Sequence, residues 1–66
     1  MEITVNGEPR SVPDGTTAAG LIAALDLTGK RLAMEVNGEI VPKSRHASHD
    51  LTAGDRVEIV HAVGGG

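Results

Sequence analysis

The sequence contains no cysteine. Disulfides, cysteine metal sites and a thiol nucleophile are therefore excluded, and any sulfur the protein carries must be held by another group. It contains no phenylalanine, tyrosine or tryptophan either. Such a chain has no aromatic platform for stacking bases, and its net charge of −3 disfavours phosphate backbones, so nucleic acid is not an expected partner. No apolar run approaches the length of a membrane span or signal peptide, so a cytoplasmic protein without membrane contact is expected. A phosphate-binding Gly-x4-Gly-Lys-[Ser/Thr] loop is missing too. Ahead of Gly29-Lys30 the earlier glycine position holds Ala24, and Arg31 follows the lysine. Sixty-six residues make one small domain, and a chain of that size buries only about 60% of its unfolded surface. That leaves little room for an enclosed substrate cavity. These absences point away from a stand-alone enzyme and toward a binding or carrier module.

What is present is alternation. Residues 2–6 place Ile3 and Val5 on one side of a strand and Glu2 and Thr4 on the other. Asn6-Gly7 marks a two-residue hairpin turn, because both residues accept positive φ. A short return strand, about Glu8 to Val12, contains Pro9, which suits an edge, and Pro13-Asp14-Gly15 turns the chain. Thr16 or Thr17 can cap a helix. Ala18, Leu21, Ile22 and Leu25 follow as one apolar stripe, and the helix is expected to end near Leu27, before Thr28-Gly29. Gly20 inside it costs about 0.5–1 kcal/mol relative to alanine.

Leu32, Met34 and Val36 begin a second hairpin with Asn37-Gly38 as its turn, and Glu39-Ile40-Val41 returns before Pro42. Val-Asn-Gly-Glu thus occurs twice, as one turn solution used again. Residues 43–50 read as polar loop or a single helical turn, from which Leu51 plugs the core. Ala53-Gly54-Asp55 turns into a last strand, 56–60, with Val57 and Ile59 inward. The order of strand, strand, helix, strand, short strand, strand describes an α+β domain: four to five strands with one main helix on one face.

The last strand runs straight into Ala62-Val63-Gly64-Gly65-Gly66. Glycine lacks Cβ, so this arm is thin and free in its backbone angles. It carries no side-chain chemistry, and its reactive group is the α-carboxylate of Gly66. The four residues past Ala62 reach roughly 13–14 Å when extended. The domain is expected to span 1–62, with 63–66 as a flexible tail that can be threaded, through Gly64 and Gly65, into another protein. Loose chain ends are often glycine-rich as well, so the tail needs the rest of the chain to give it meaning.

That meaning comes from a set of motifs: Met1-x-Ile3-x-Val5-Asn6-Gly7-Glu8, Pro13-x-Gly15-Thr16-Thr17, Asn37-Gly38-Glu39-Ile40-Val41-Pro42, Gly54-Asp55-Arg56-Val57-Glu58-Ile59-Val60 and the closing Gly65-Gly66. Over the whole chain they resemble the ThiS family, the sulfur carriers of thiamine biosynthesis. The resemblance implies a ubiquitin-like β-grasp fold whose last strand lies in the middle of the sheet, parallel to the first. It also implies a covalent carrier and not a catalyst. An E1-like adenylyltransferase would use ATP to convert the Gly66 carboxylate to an acyl-adenylate. Sulfur from a donor such as a cysteine desulfurase would replace an oxygen, and the thiocarboxylate would be delivered to thiazole synthase. The chain itself would bind no cofactor. Related β-grasp carriers for molybdopterin or tRNA thiolation are the alternative, as is a protein-interaction module with a loose tail. Gly20 and His46 depart from the family pattern, which often has an acidic residue at the first position and an aromatic at the second.

Two further sets of residues are candidates. By alternation Glu2, Thr4, Glu35, Glu58 and Val60 face outward. Val60 is an apolar residue beside the tail, so docking is expected through Val60, Ala62 and Val63, with Glu35 and Glu58 at the rim. His46 and His49, with Asp50 adjacent, have the spacing of two metal ligands on a helical turn. Two ligands in a polar loop are ordinarily solvated, so no metal is expected. His61 reads as a packed or half-exposed strand residue.

Overall fold

The computed structural model describes residues 1–61, and Ala62 to Gly66 lie outside them. Strand β1 (Glu2–Val5) pairs antiparallel with β2 (Glu8–Ser11), from Glu2↔Ser11 to Val5↔Glu8. Asn6 and Gly7 between them take φ of 51° and 84°, the twist that lets a two-residue turn join such strands. β2 is an edge strand, exposed throughout, so the N–H that Pro9 lacks is not missed by a second neighbour.

Helix α1 (Ala18–Ala24) starts at Thr17, whose hydroxyl accepts the Gly20 N–H at 3.0 Å. Thr16 instead closes the preceding turn, its N–H and hydroxyl both donating to the Pro13 carbonyl. The next donors of the helix, the N–H groups of Ala18 and Ala19, reach the carbonyls of His49 and His46 at 2.9 and 2.8 Å. The polar loop therefore satisfies helix-start groups that have no partner within the helix.

The helix stops earlier than its apolar pattern suggests. Asp26 turns left-handed at φ 60°. Its N–H bonds the Ala23 carbonyl, and the Leu27 N–H reaches back to the Ile22 carbonyl. This pair of bonds is a Schellman closure, built with aspartate at the position glycine usually holds. In consequence Leu25 is half-buried, not a core member of the stripe, and Leu27 packs on the core from outside the helix.

Strands β3 (Leu32–Val36) and β4 (Glu39–Val41) form the second hairpin, with Asn37 and Gly38 at φ 53° and 85°. A single 3₁₀ turn follows over Lys43–Arg45. The last strand, β5 (Arg56–His61), extends to His61, where Leu32 still pairs with it. It is central: the sheet order is β2-β1-β5-β3-β4, with β5 parallel to β1 and antiparallel to β3. Ile3, Leu21, Met34 and Val57 are the most completely enclosed large side chains, and Leu51 closes the core from the loop as expected. Among the described residues no helix is long and apolar enough to cross a membrane.

Candidate functional site

β5 leads to the segment 62–66, so what holds β5 sets where that segment begins. Its ladder with β1 is short. Thr4↔Arg56 and Val5↔Val57 are the pairs, with Thr4 N–H on the Asp55 carbonyl at 3.0 Å and Asn6 N–H on the Val57 carbonyl at 2.8 Å. β1 then turns away, and the Asn6 side chain continues the ladder in its place. Its Oδ1 accepts the Ile59 N–H at 2.7 Å and its Nδ2 donates to the Ile59 carbonyl at 3.1 Å. One side-chain amide thus supplies the donor and acceptor that a strand residue would have offered.

Asn37, at the same place in the other hairpin, holds the opposite end. Its Oδ1 accepts the Arg56 N–H at 2.9 Å and its Nδ2 donates to Asp55 Oδ1 at 3.0 Å. Asp55 is a buried carboxylate, 7% exposed. It also accepts the Thr52 N–H at 2.8 Å and the Thr52 hydroxyl at 3.0 Å. Burial pushes its carboxyl up. The hydrogen bonds from Thr52 and Asn37, with the nearby His49, together outweigh that effect and hold it below the usual carboxylate range.

The outward face of the sheet follows from the register, since directly paired residues share a face. Glu58 sits opposite Glu35, Glu35 opposite Ile40, and Val60 opposite Ala33. Val60 is 58% exposed and Ile40 65% exposed. Glu58 is exposed and Glu35 half-buried. The expected outward register of Val60, Glu58 and Glu35 is therefore the one observed. Two carboxylates placed directly across a ladder repel each other, and they are flanked by bare apolar side chains. Such a surface suits a partner that brings positive charge to the glutamates and apolar contact to Val60 and Ile40. Ala62, Val63, Gly64, Gly65 and Gly66 lie outside the described residues.

Asn6, Asn37, Asp55, Thr52 and Ile40 are not among the candidate residues of the sequence. Asn6 and Asn37 read only as turn formers, although asparagine, unlike aspartate, carries the donor as well as the acceptor. Ile40 is exposed because the Asn37-Gly38 turn pairs it with Glu35, a register already implied by the turn length. The histidines have separate surroundings. His46 Nε2 lies 3.0 Å from the Val41 carbonyl, and His61 stands exposed near Leu25 and Leu27. Among the described residues no three of His, Cys, Asp and Glu come together as metal ligands would.

A central strand gripped between parallel β1 and antiparallel β3, with one helix across the sheet, defines a ubiquitin-like β-grasp protein. The model of the ThiS family matches residues 3–66, and the chain belongs to that family. A thiamine biosynthesis protein (ThiS) from Geobacter metallireducens has a crystal structure similar to this one, with a TM-score of 0.86 and 30% identity, each chain fully covered. The sulfur carrier protein ThiS of Bacillus subtilis is 42% identical over 53 residues, covering 80% of either chain. A thiazole synthase from Paramagnetospirillum magneticum is 39% identical over all 66 residues, and the chain spans 20% of that protein's length.

Proposed function

We propose that this chain is a sulfur carrier of thiamine biosynthesis whose Gly66 carboxylate is the carrying group. The observation that supports the reading most is the placement of β5. It is the central strand, fixed by hydrogen bonds at both ends, and in sequence it leads directly into Ala62-Val63-Gly64-Gly65-Gly66. A rigid root with a slender arm is what threading into a partner's active site requires. The similarity to a segment of a thiazole synthase supports that enzyme as the recipient.

The chemistry follows from the group available. A carboxylate is a poor electrophile, so an E1-like adenylyltransferase must activate it: a Gly66 oxygen attacks the α-phosphorus of ATP and pyrophosphate leaves. The terminal sulfur of the donor, the persulfide of a cysteine desulfurase for example, then attacks the acyl carbon and AMP leaves. Glycine leaves that carbon unhindered. A thiol cleaves the S–S bond of the resulting acyl disulfide, forming a disulfide with the donor sulfur and releasing the thiocarboxylate. The resulting thiocarboxylate passes its sulfur to thiazole synthase. ATP belongs to the partner, and this chain contributes substrate, not catalysis. Ordering each tail residue costs about 1–2 kcal/mol, so affinity has to come from the docked domain: Val60 and Ile40 as apolar contacts, Ala62 and Val63 beside them, Glu35 and Glu58 at the rim.

Deleting Gly65-Gly66 tests the assignment, because the core lies elsewhere. The truncated protein should keep its fold and lose ATP-dependent adenylation. Adenylation at the new terminus would refute the role given to Gly66. Docking is tested by Val60→Asp and Glu58→Lys in binding to the adenylating enzyme. Val60→Asp should raise the dissociation rate, and by more than Glu58→Lys changes association, because burying a charge costs more than a screened rim charge contributes. Equal binding by Val60→Asp and the unmodified chain would place the interface on another face.

A further inference from the structure

The other face of the sheet carries a second surface with the opposite charge. A groove of about 450 Å³ opens between α1, the segment 27–32 and the loop at 43–47. Ala19, Ile22, Leu27, Leu32 and Ala47 give it apolar walls. Lys30, Arg31, Lys43 and His46 stand around it, and no aspartate or glutamate lines it. Three of the chain's six lysines and arginines are therefore gathered at one groove of a protein whose net charge is −3. They are exposed and form no ion pair among the described residues, where the one such pair joins the Met1 ammonium to Asp14. The groove also has a defined place. Leu32 in its wall pairs with His61, the last described residue of β5. It thus opens beside the root of the tail, on the helix side, while Glu35, Glu58 and Val60 occupy the outward side.

We propose that this groove docks an acidic, aliphatic segment of the enzyme that receives the tail, an inference that rests on the carrier function proposed above. Apolar walls bury aliphatic side chains, and the cations around them attract carboxylates and steer the encounter. The outward face calls for the reverse, a basic partner surface with apolar contacts beside it. An enzyme that presents both signs holds the end of the sheet from two sides. It can then bind in one orientation only, with the tail aimed at its active site. The three closing glycines have no side-chain anchors of their own, so the tail gains its direction from that grip.

The test is a titration of the ¹⁵N-labelled chain with its unlabelled adenylating enzyme and, separately, with its thiazole synthase. The amides of Ala19, Gly29 and Ala47 should shift with at least one of them. Lys30→Glu with Lys43→Glu should weaken that complex about tenfold at low salt, and the difference from the unmodified chain should shrink as salt is raised. Lys30→Gln with Lys43→Gln should give a smaller loss of the same kind, with an unchanged melting midpoint for these exposed positions. A complex that forms with the groove amides unmoved, and with equal affinity in the charge-reversed variant, would overturn the inference while leaving the carrier function standing. Shifts of the same amides on concentrating the chain alone would assign the groove to a second copy and overturn it as well. Absence of any complex with either enzyme would overturn the inference and the carrier function together.

Discussion

Val-Asn-Gly-Glu at 5–8 and at 36–39 folds into the same turn twice, with φ of 51° and 84° in the first and 53° and 85° in the second. In each the asparagine side chain reaches across to β5. Asn6 holds Ile59 by its N–H and carbonyl, two neutral bonds near the root of the tail. The Asn37 side chain accepts one bond from the Arg56 N–H at the start of β5 and donates its other to Asp55, which gathers the loop at Thr52. Identical local geometry therefore serves a grip that is independent of pH at one end of the strand and one that depends on an ionised carboxylate at the other. The difference lies in what the partner strand offers, not in the turn.

The largest expected effect is at Asn6. Asn6→Ala leaves both Ile59 groups without partners and puts alanine at a positive φ that asparagine tolerates better, for a loss of about 2–4 kcal/mol. Asn6→Gly keeps the turn and should lose only the bonds, about 1–3 kcal/mol. Urea titrations of the two variants separate the terms, and stability unchanged in both would mean that the side chain does not hold β5. Asp55→Asn should come next, at about 1–3 kcal/mol, with a signature in pH. The folded-state carboxyl titrates below its ordinary value of 3.8. Its contribution is thus fully present above the unfolded value and is lost as pH falls through the folded one. Melting midpoints taken from pH 6 downward should fall more steeply for the unmodified protein than for Asp55→Asn. Asn6→Asp should show the opposite sign, because a carboxylate facing the Ile59 carbonyl is favoured when protonated. That variant should gain stability on acidification. Parallel pH profiles for Asp55→Asn and the unmodified protein would erase the contrast between the two ends. The smallest effect is in the turns themselves. A Cβ added at Gly7 or Gly38 meets nothing within 4 Å, so only φ opposes it. Gly7→Ala and Gly38→Ala should each lose about 1 kcal/mol and should match; a clear inequality would mean that the turns are not equivalent.

Both hairpins were legible in the sequence because alternation and the Asn-Gly dipeptide are local signals. The central position of β5 was not. Nothing in Arg56-Val57-Glu58-Ile59-Val60 says which strands flank it, and only the likeness to a family placed it in the middle of the sheet, parallel to the first strand. The helix end was misplaced for a related reason. The expected stop signal was Gly29, but Gly29 closes a later turn in which Lys30 N–H bonds the Leu27 carbonyl. The residue that ends α1 is Asp26, which adopts the left-handed conformation without being glycine. In the candidate site, Val60, Glu58 and Glu35 came from period-two alternation. The grips of Asn6 and Asn37 were hidden because their partners lie 53 and 19 residues away in sequence.

A fixed strand leading into a chemically active chain end is what the proposed carrier role requires. The most direct measurement is the intact mass of the chain after incubation with its adenylating enzyme, ATP and a sulfur donor, with fragmentation to place the change. The expected result is a mass gain equal to sulfur replacing one oxygen, located at Gly66 and absent when ATP is omitted. An unchanged mass under conditions where the enzyme is active, or a modification mapped to any other residue, would contradict it.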